Sequence, residues 1–142
     1  MPRKKRQRKM LMPPLIKGMS VSGLRGRRSN EVFILLEEYE AIRLLDYEML
    51  NQEQAALRME VSRPTLTRIY DEARQKVAKA FVEGRDLVFR GGVVAFAEDW
   101  YKCNQCKHNF PASGQENTLC PVCGSSEILS VNGMYSKESR PQ

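Results

Sequence analysis

Histidine is almost missing from this 142-residue chain, which has His108 and no other. With a lone imidazole, no serine–histidine–acid arrangement can be built. A phosphate-binding P-loop and a glycine-rich dinucleotide fingerprint are also absent. Glu37, Glu38 and Glu40 lie close together, but helical placement makes them a solvated face rather than a carboxylate centre. An enzyme is not expected. Long apolar runs are lacking as well: residues 10–16 are too short for a leader or a membrane span and are broken by Pro13 and Pro14. The protein is therefore expected to be soluble and cytoplasmic, with no membrane partner. No internal repeat occurs. Cysteine is confined to four residues near the C-terminus, a pattern that in a reducing compartment points to metal rather than disulfides.

Acidic side chains are absent from residues 1–28, which hold ten Lys and Arg. The formal net charge is +6, yet the other 114 residues carry 13 basic and 17 acidic side chains. The basicity thus belongs to an N-terminal arm, a block expected to stay disordered until it meets a polyanion. A solubilising tail or a localisation signal is the plainer alternative. Beside a helix-turn-helix, nucleic acid becomes the favoured partner.

The helix-turn-helix is read at residues 51–70. Ala56 is small where two helices must approach closely, Met59 and Val61 bracket a short turn, and Ser62 is a good N-cap. Leu66, Ile69, Ala73 and Val77 continue one apolar stripe at three- and four-residue steps. Arg63, Thr65 and Arg68 lie on the opposite face, near the end that enters the major groove in this motif. The same pair of helices can equally be a structural element of a small bundle. Asn51 and Gln54 form a capping-box-like pair for the shorter helix, which should stop near Met59. The longer helix should run from Ser62 to Glu83, with Pro64 in its first turn and Gly84 as its stop. A first helix is expected over 37–48, with Ala41, Ile42, Leu45 and Met49 buried; residues 32–36 read as a strand or a helix lead-in. Two short apolar runs around Gly91-Gly92 suggest a β-hairpin.

Cys103-x2-Cys106 and Cys120-x2-Cys123, 13 residues apart, carry the most specific chemistry. Each pair can form a tight turn presenting two sulfurs, and two such turns complete a tetrahedral thiolate site. So few residues cannot build a core by burial, and a structural metal can supply the missing stability. Zinc is favoured because four cysteines leave no open position; iron in a rubredoxin-like site fits the same ligands. Trp100, Tyr101 and Phe110 should cover the knuckles, and His108 should be an exposed loop residue.

The resulting fold class is mainly α: a basic flexible arm (1–30), a tri-helical helix-turn-helix domain (31–84), a β-hairpin linker (85–98), a zinc ribbon (99–129) and a disordered tail (130–142).

Met1 to Arg6, the stretch from Glu38 to Asp46, Gln52 to Ala56, Val61 to Thr65 and the Ala73-Arg74-x-Lys76-Val77 segment resemble a family of small prokaryotic proteins regarded as DNA-binding. The same stretch is similar to the fourth region of bacterial primary sigma factors, which reads the −35 element. The resemblance covers roughly residues 1–96, with the ribbon a variable appendage, and implies a tri-helical DNA-binding fold from a bacterium or archaeon. It places the recognition face on Arg63, Thr65, Thr67 and Arg68. One departure is Glu60, at a turn position often held by glycine; a left-handed backbone there costs a side chain about 1–2 kcal/mol.

The expected function is a sequence-specific transcriptional regulator of double-stranded DNA. Arg63 and Arg68 would pair guanine edges, Thr65 would touch a base or a thymine methyl, and Thr67 a phosphate. Asn51 and Gln52 would hold a phosphate at a helix start, and Arg3, Lys4, Lys5, Arg6, Arg8 and Lys9 would follow the backbone or minor groove. A homodimer on a two-fold site is expected. The rival readings are an adaptor meeting a protein partner through its ribbon, an RNA-binding protein driven by the arm, and a metal or redox sensor.

Overall fold

The computed structural model describes residues 6–23, 30–112 and 119–138. The chain is not mainly α. Among the described residues, four α-helices accompany eight short strands in three small sheets.

Strand β1 (Arg8–Met10) leads to β2 (Gly18–Met19) and β3 (Val32–Ile34). Helix α1 (Leu36–Ile42) follows and widens into π-type turns over Arg43–Tyr47, where the Glu48 N–H reaches back five residues to the Arg43 carbonyl. Helix α2 (Gln52–Met59) is closed at its start by the expected reciprocal pair: Asn51 Oδ1 accepts from the Gln54 N–H at 2.8 Å, and Gln54 Oε1 from the Asn51 N–H at 3.1 Å. Helix α3 (Arg63–Glu83) begins after Ser62, whose hydroxyl accepts from the Thr65 N–H, and ends at left-handed Gly84.

The expected hairpin does not form, and this overturns the tri-helical-domain-plus-hairpin architecture. Strand β4 (Leu87–Phe89) pairs in parallel with β3 and antiparallel with β2, so α1, α2 and α3 form one long crossover between β3 and β4. Strand β5 (Val94–Phe96) pairs in parallel with β1 instead, Arg8 opposite Val94 and Met10 opposite Phe96. Gly91 and Gly92 both have positive φ, but they carry the chain across the start of α1 rather than around a two-residue turn. The Gly91 carbonyl accepts from the Leu36 N–H, and a Cβ on Gly92 would lie 3.0 Å from Glu37 Oε1. At Gly18 a Cβ would fall 2.1 Å from the Leu87 carbonyl oxygen, so only glycine lets β2 lie against β4.

One core lies where α1, α2 and α3 meet: Ala41, Leu44, Ala56, Met59, Leu66 and Ile69. Val32, Ile34, Ala80 and Leu87 join α3 to the central sheet. Met49, expected in the buried stripe of the first helix, is instead exposed: it lies beyond the π-type turns, in a left-handed conformation at φ 60°.

Glu37, Glu38 and Glu40 are buried, contrary to their reading as a solvated face. Each has a distant partner. Arg8 Nε lies 3.0 Å from Glu37, Lys76 Nζ 2.8 Å from Glu38, and the Leu11 N–H donates to Glu40 at 2.6 Å while Arg43 Nε pairs with its other oxygen. The acids of α1 therefore clamp the N-terminal segment and α3 to the body.

The third sheet, of strand order β7–β6–β8, is antiparallel and built from β6 (Trp100–Cys103), β7 (Asn109–Pro111) and β8 (Ile128–Ser130). Residues 131–138, expected to lack regular structure, form α4 (Val131–Glu138). Val131 and Tyr135 pack with Trp100, Met10 and Leu36 in a further core cluster. Trp100 does not cover the knuckles: its Nε1 donates to the Leu11 carbonyl at 3.1 Å, docking the third sheet on the N-terminal segment.

Candidate functional site

The four cysteines come together. Their Sγ atoms all lie within 4.8 Å of one another, with Cys103–Cys123 and Cys106–Cys120 separations of 3.5 Å. A disulfide needs about 2.05 Å, so these are free thiols. Four sulfurs about 2.3 Å from one ion would stand about 3.8 Å apart, inside the observed range.

Two knuckles place them. In each, the residue four beyond the first cysteine donates its N–H to that cysteine's carbonyl: Lys107 to Cys103 at 3.0 Å and Gly124 to Cys120 at 2.9 Å. Both take a left-handed conformation, natural for Gly124 and unusual for Lys107. The Cys106 and Val122 N–H groups point at the Cys103 and Cys120 sulfurs, each at 3.4 Å. The Cys106 N–H draws the Cys103 thiol down toward the thiolate, and Cys120 is lowered too, whereas Cys106 and Cys123, hydrogen-bonded to them, are raised, so the four thiols share their protons as one set. Phe110 buries Cys103 and Cys120, with Tyr101 and Ile128 alongside. His108 is exposed, stacks near Phe110 and stands outside the sulfur cluster. The cluster can hold a tetrahedral metal ion such as zinc.

The second candidate is the face shared by α2 and α3. Three residues, Glu60 to Ser62, join the helices, and Glu60 is left-handed at φ 56° and ψ 44°. Ala55, Ala56 and Met59 of α2 pack against Leu66 and Ile69 of α3, which leaves the first turns of α3 outward. Arg63 is exposed and lies 3.7 Å from Glu53, and Arg68 is exposed with no ion pair among the described residues. Thr65 Oγ1 accepts from the Ser62 hydroxyl. Thr67 donates to Gln52 Oε1 at 2.9 Å, so these two residues hold each other rather than standing free. Asn51 spends its side-chain oxygen on the cap.

The N-terminal basic residues separate into three kinds. Arg3, Lys4 and Lys5 lie outside the described residues. Arg8 is buried against Glu37. Arg6 is exposed, and Lys9 Nζ reaches Glu60 at 3.8 Å, so β1 delivers the start of the chain beside the α2–α3 turn. Composition alone could not reveal that delivery, because it depends on β1 pairing with β5. Glu60→Gly should relieve the left-handed strain and raise stability by up to about 1 kcal/mol, net of glycine's greater freedom when unfolded. An unchanged or lower urea midpoint would show that the turn stores no strain.

Residues 1–96 match the family described as "Protein of unknown function DUF134". The chain belongs to that family. The DUF134 match ends at Phe96, just before β6, so it covers the body of the fold without the cysteine sheet. Among relatives, the "UPF0251 protein" of Chloroherpeton thalassium is 36% identical over 129 residues, 90% of this chain and 85% of its own length. That of Halothermothrix orenii is 38% identical over 128 residues, 87% and 95% of the two lengths. An archaeal relative, the "UPF0251 protein" of Methanothermobacter thermautotrophicus, is 38% identical over 132 residues, 93% and 69%. An alignment spanning 90% of this chain necessarily takes in the cysteine sheet. No solved structure matches. The relatives' names mention neither DNA nor sigma factors. Among the described residues, no helix is long and apolar enough to cross a membrane.

Proposed function

We propose that the protein is a sequence-reading DNA-binding regulator, with α2 and α3 acting as a helix-turn-helix and the cysteine sheet holding a structural zinc ion. The observation that carries this reading is the outward N-terminal end of α3, with Arg63 and Arg68 exposed beyond a three-residue turn. Guanidinium groups there can donate in pairs to guanine O6 and N7 in the major groove. Arg6 and Lys9 enter beside the same turn, where they can neutralise phosphates next to the groove being read. Arg8 is not part of this surface, because it is consumed by Glu37.

In vitro selection from a random duplex library, at near-physiological salt, tests the reading; recovery of a motif supports it, and retention without enrichment defeats it. Arg68→Ala should cost roughly 1–3 kcal/mol on the selected site and relax specificity there. Removing residues 2–7 should instead weaken all sequences alike and flatten the salt slope. Equal loss on selected and random duplexes for Arg68→Ala would take that residue out of base reading. Metal analysis should return one zinc per chain, and a red protein would mean iron. A second reading, a ribbon adaptor, is favoured by the exposed Leu119, Val122 and Leu129. A stoichiometric protein partner lost on Cys120→Ser would support it.

A further inference from the structure

An apolar hollow of about 520 Å³ lies between the segment after β1, helix α1, the end of α3 and β4. Ile34, Ile42, Val77, Leu87 and Phe89 line it. Its rim is unusual. Leu15, Met19, Tyr47 and Phe81 stand around it at 60%, 58%, 81% and 76% exposure, together roughly 500 Å² of apolar surface. A patch of that size is near the largest that a typical monomer leaves in water, and such patches are often functional.

We infer that this hollow is a two-fold interface with a second copy of this chain, Phe81 of each copy seated in the hollow of the other. Three observations select this occupant. A small molecule filling the hollow would leave the rim side chains in water, whereas a protein surface covers rim and hollow together. The patch also carries both a cavity and a protruding ring, the combination a self-complementary surface needs. The adjoining groove, lined by Asp46, Asp71, Arg74, Gln75 and Ala78, bears charges of both signs and so does not repel its own copy.

Length agrees. With 21 residues, α3 is about 31 Å long. From Leu66, amid the exposed arginines, to Phe81 is about 22 Å along the axis. Two copies joined at their Phe81 ends can therefore set their reading ends the roughly 34 Å apart that successive major grooves require. Two such patches together reach the roughly 1,000 Å² at the lower end of specific interfaces. The inference gives the DNA reading its dimer, but it is measured without DNA.

Sedimentation of the full chain, metal-loaded and free of DNA, is the test. The mass of two chains is expected at micromolar concentration, and Phe81→Glu should raise the dissociation constant a hundredfold or more, since a two-fold contact is lost twice. Phe81 is exposed, so this variant should keep its circular dichroism and metal content. Tyr47→Asp is the second probe and should act the same way. A monomer at 100 µM protein, or a dimer indifferent to both substitutions, would overturn the interface. A dimer that shows no duplex preference would leave the interface standing while the DNA reading falls.

Discussion

Stripping the metal, or replacing one ligand as in Cys120→Ser, should unfold the β6–β7–β8 sheet while α1, α2 and α3 stay folded. The core around the sulfurs consists of Cys103, Phe110 and Cys120, flanked by Tyr101 and Ile128. That is far too little apolar surface to offset the conformational entropy of about 25 ordered residues. Structural zinc contributes about 10–16 kcal/mol in small peptides, enough to decide whether such a module exists. The damage should also reach further than the sheet. Strand β6 holds Cys103 at one end and Trp100 at the other, and Trp100 is docked on the Leu11 carbonyl and packed with Met10 and Leu36. Trp100 is the only tryptophan, so its emission reports this docking directly. Chelation should shift that emission to the red while most of the helical dichroism is retained. Complete metal removal with neither the emission nor the melting of the sheet altered would show that burial alone holds the module.

The parts of this fold that were legible in the sequence are the ones fixed within a few residues. Asn51 with Gln54, Ser62 with Pro64, and Gly84 mark helix ends by chemistry that acts over one turn, and each occurs where expected. The two Cys-x2-Cys pairs assemble for the same reason, since each knuckle is local and a shared ion requires only that they meet. Pairings across long stretches of chain were not legible. Gly91-Gly92 between two apolar runs has the local form of a hairpin, but β4 and β5 find partners in β3 and β1, more than fifty residues away. A turn signal states that the chain bends and says nothing of which strand lies alongside. The left-handed Lys107 carries no sequence mark, unlike its counterpart Gly124. Charge misled in the same way: three acids on one helix read as solvated because their partners Arg8, Leu11 and Lys76 lie 29 to 38 residues off.

Glu40 tests that last point most sharply. Its carboxylate is fully buried, accepts from the Leu11 N–H and pairs with Arg43, whose own side chain is nine-tenths buried. Glu40→Ala would strand the Leu11 N–H and leave the largely buried Arg43 guanidinium with Glu48 as its one remaining acidic partner, 3.3 Å from Nη1. Breaking a buried pair from one side costs about 3–5 kcal/mol, against the 5–15 kcal/mol of a whole domain. Glu40→Gln should cost less, because an amide oxygen can still accept from Leu11 although it meets Arg43 without charge. Adding Arg43→Ala to Glu40→Ala should cost less than the two single losses combined, since the second change removes a largely buried cation that has lost one of its two acids. Leu11 is also where the start of the chain, α1 and Trp100 meet, so Glu40→Ala should loosen all three. Trp100 emission should then shift even with metal bound, and Lys9 should lose its place beside the α2–α3 turn. Urea unfolding of Glu40→Ala decides the matter: a loss under about 1 kcal/mol would mean that water replaces the carboxylate and that the acids of α1 do not hold the chain's start in place.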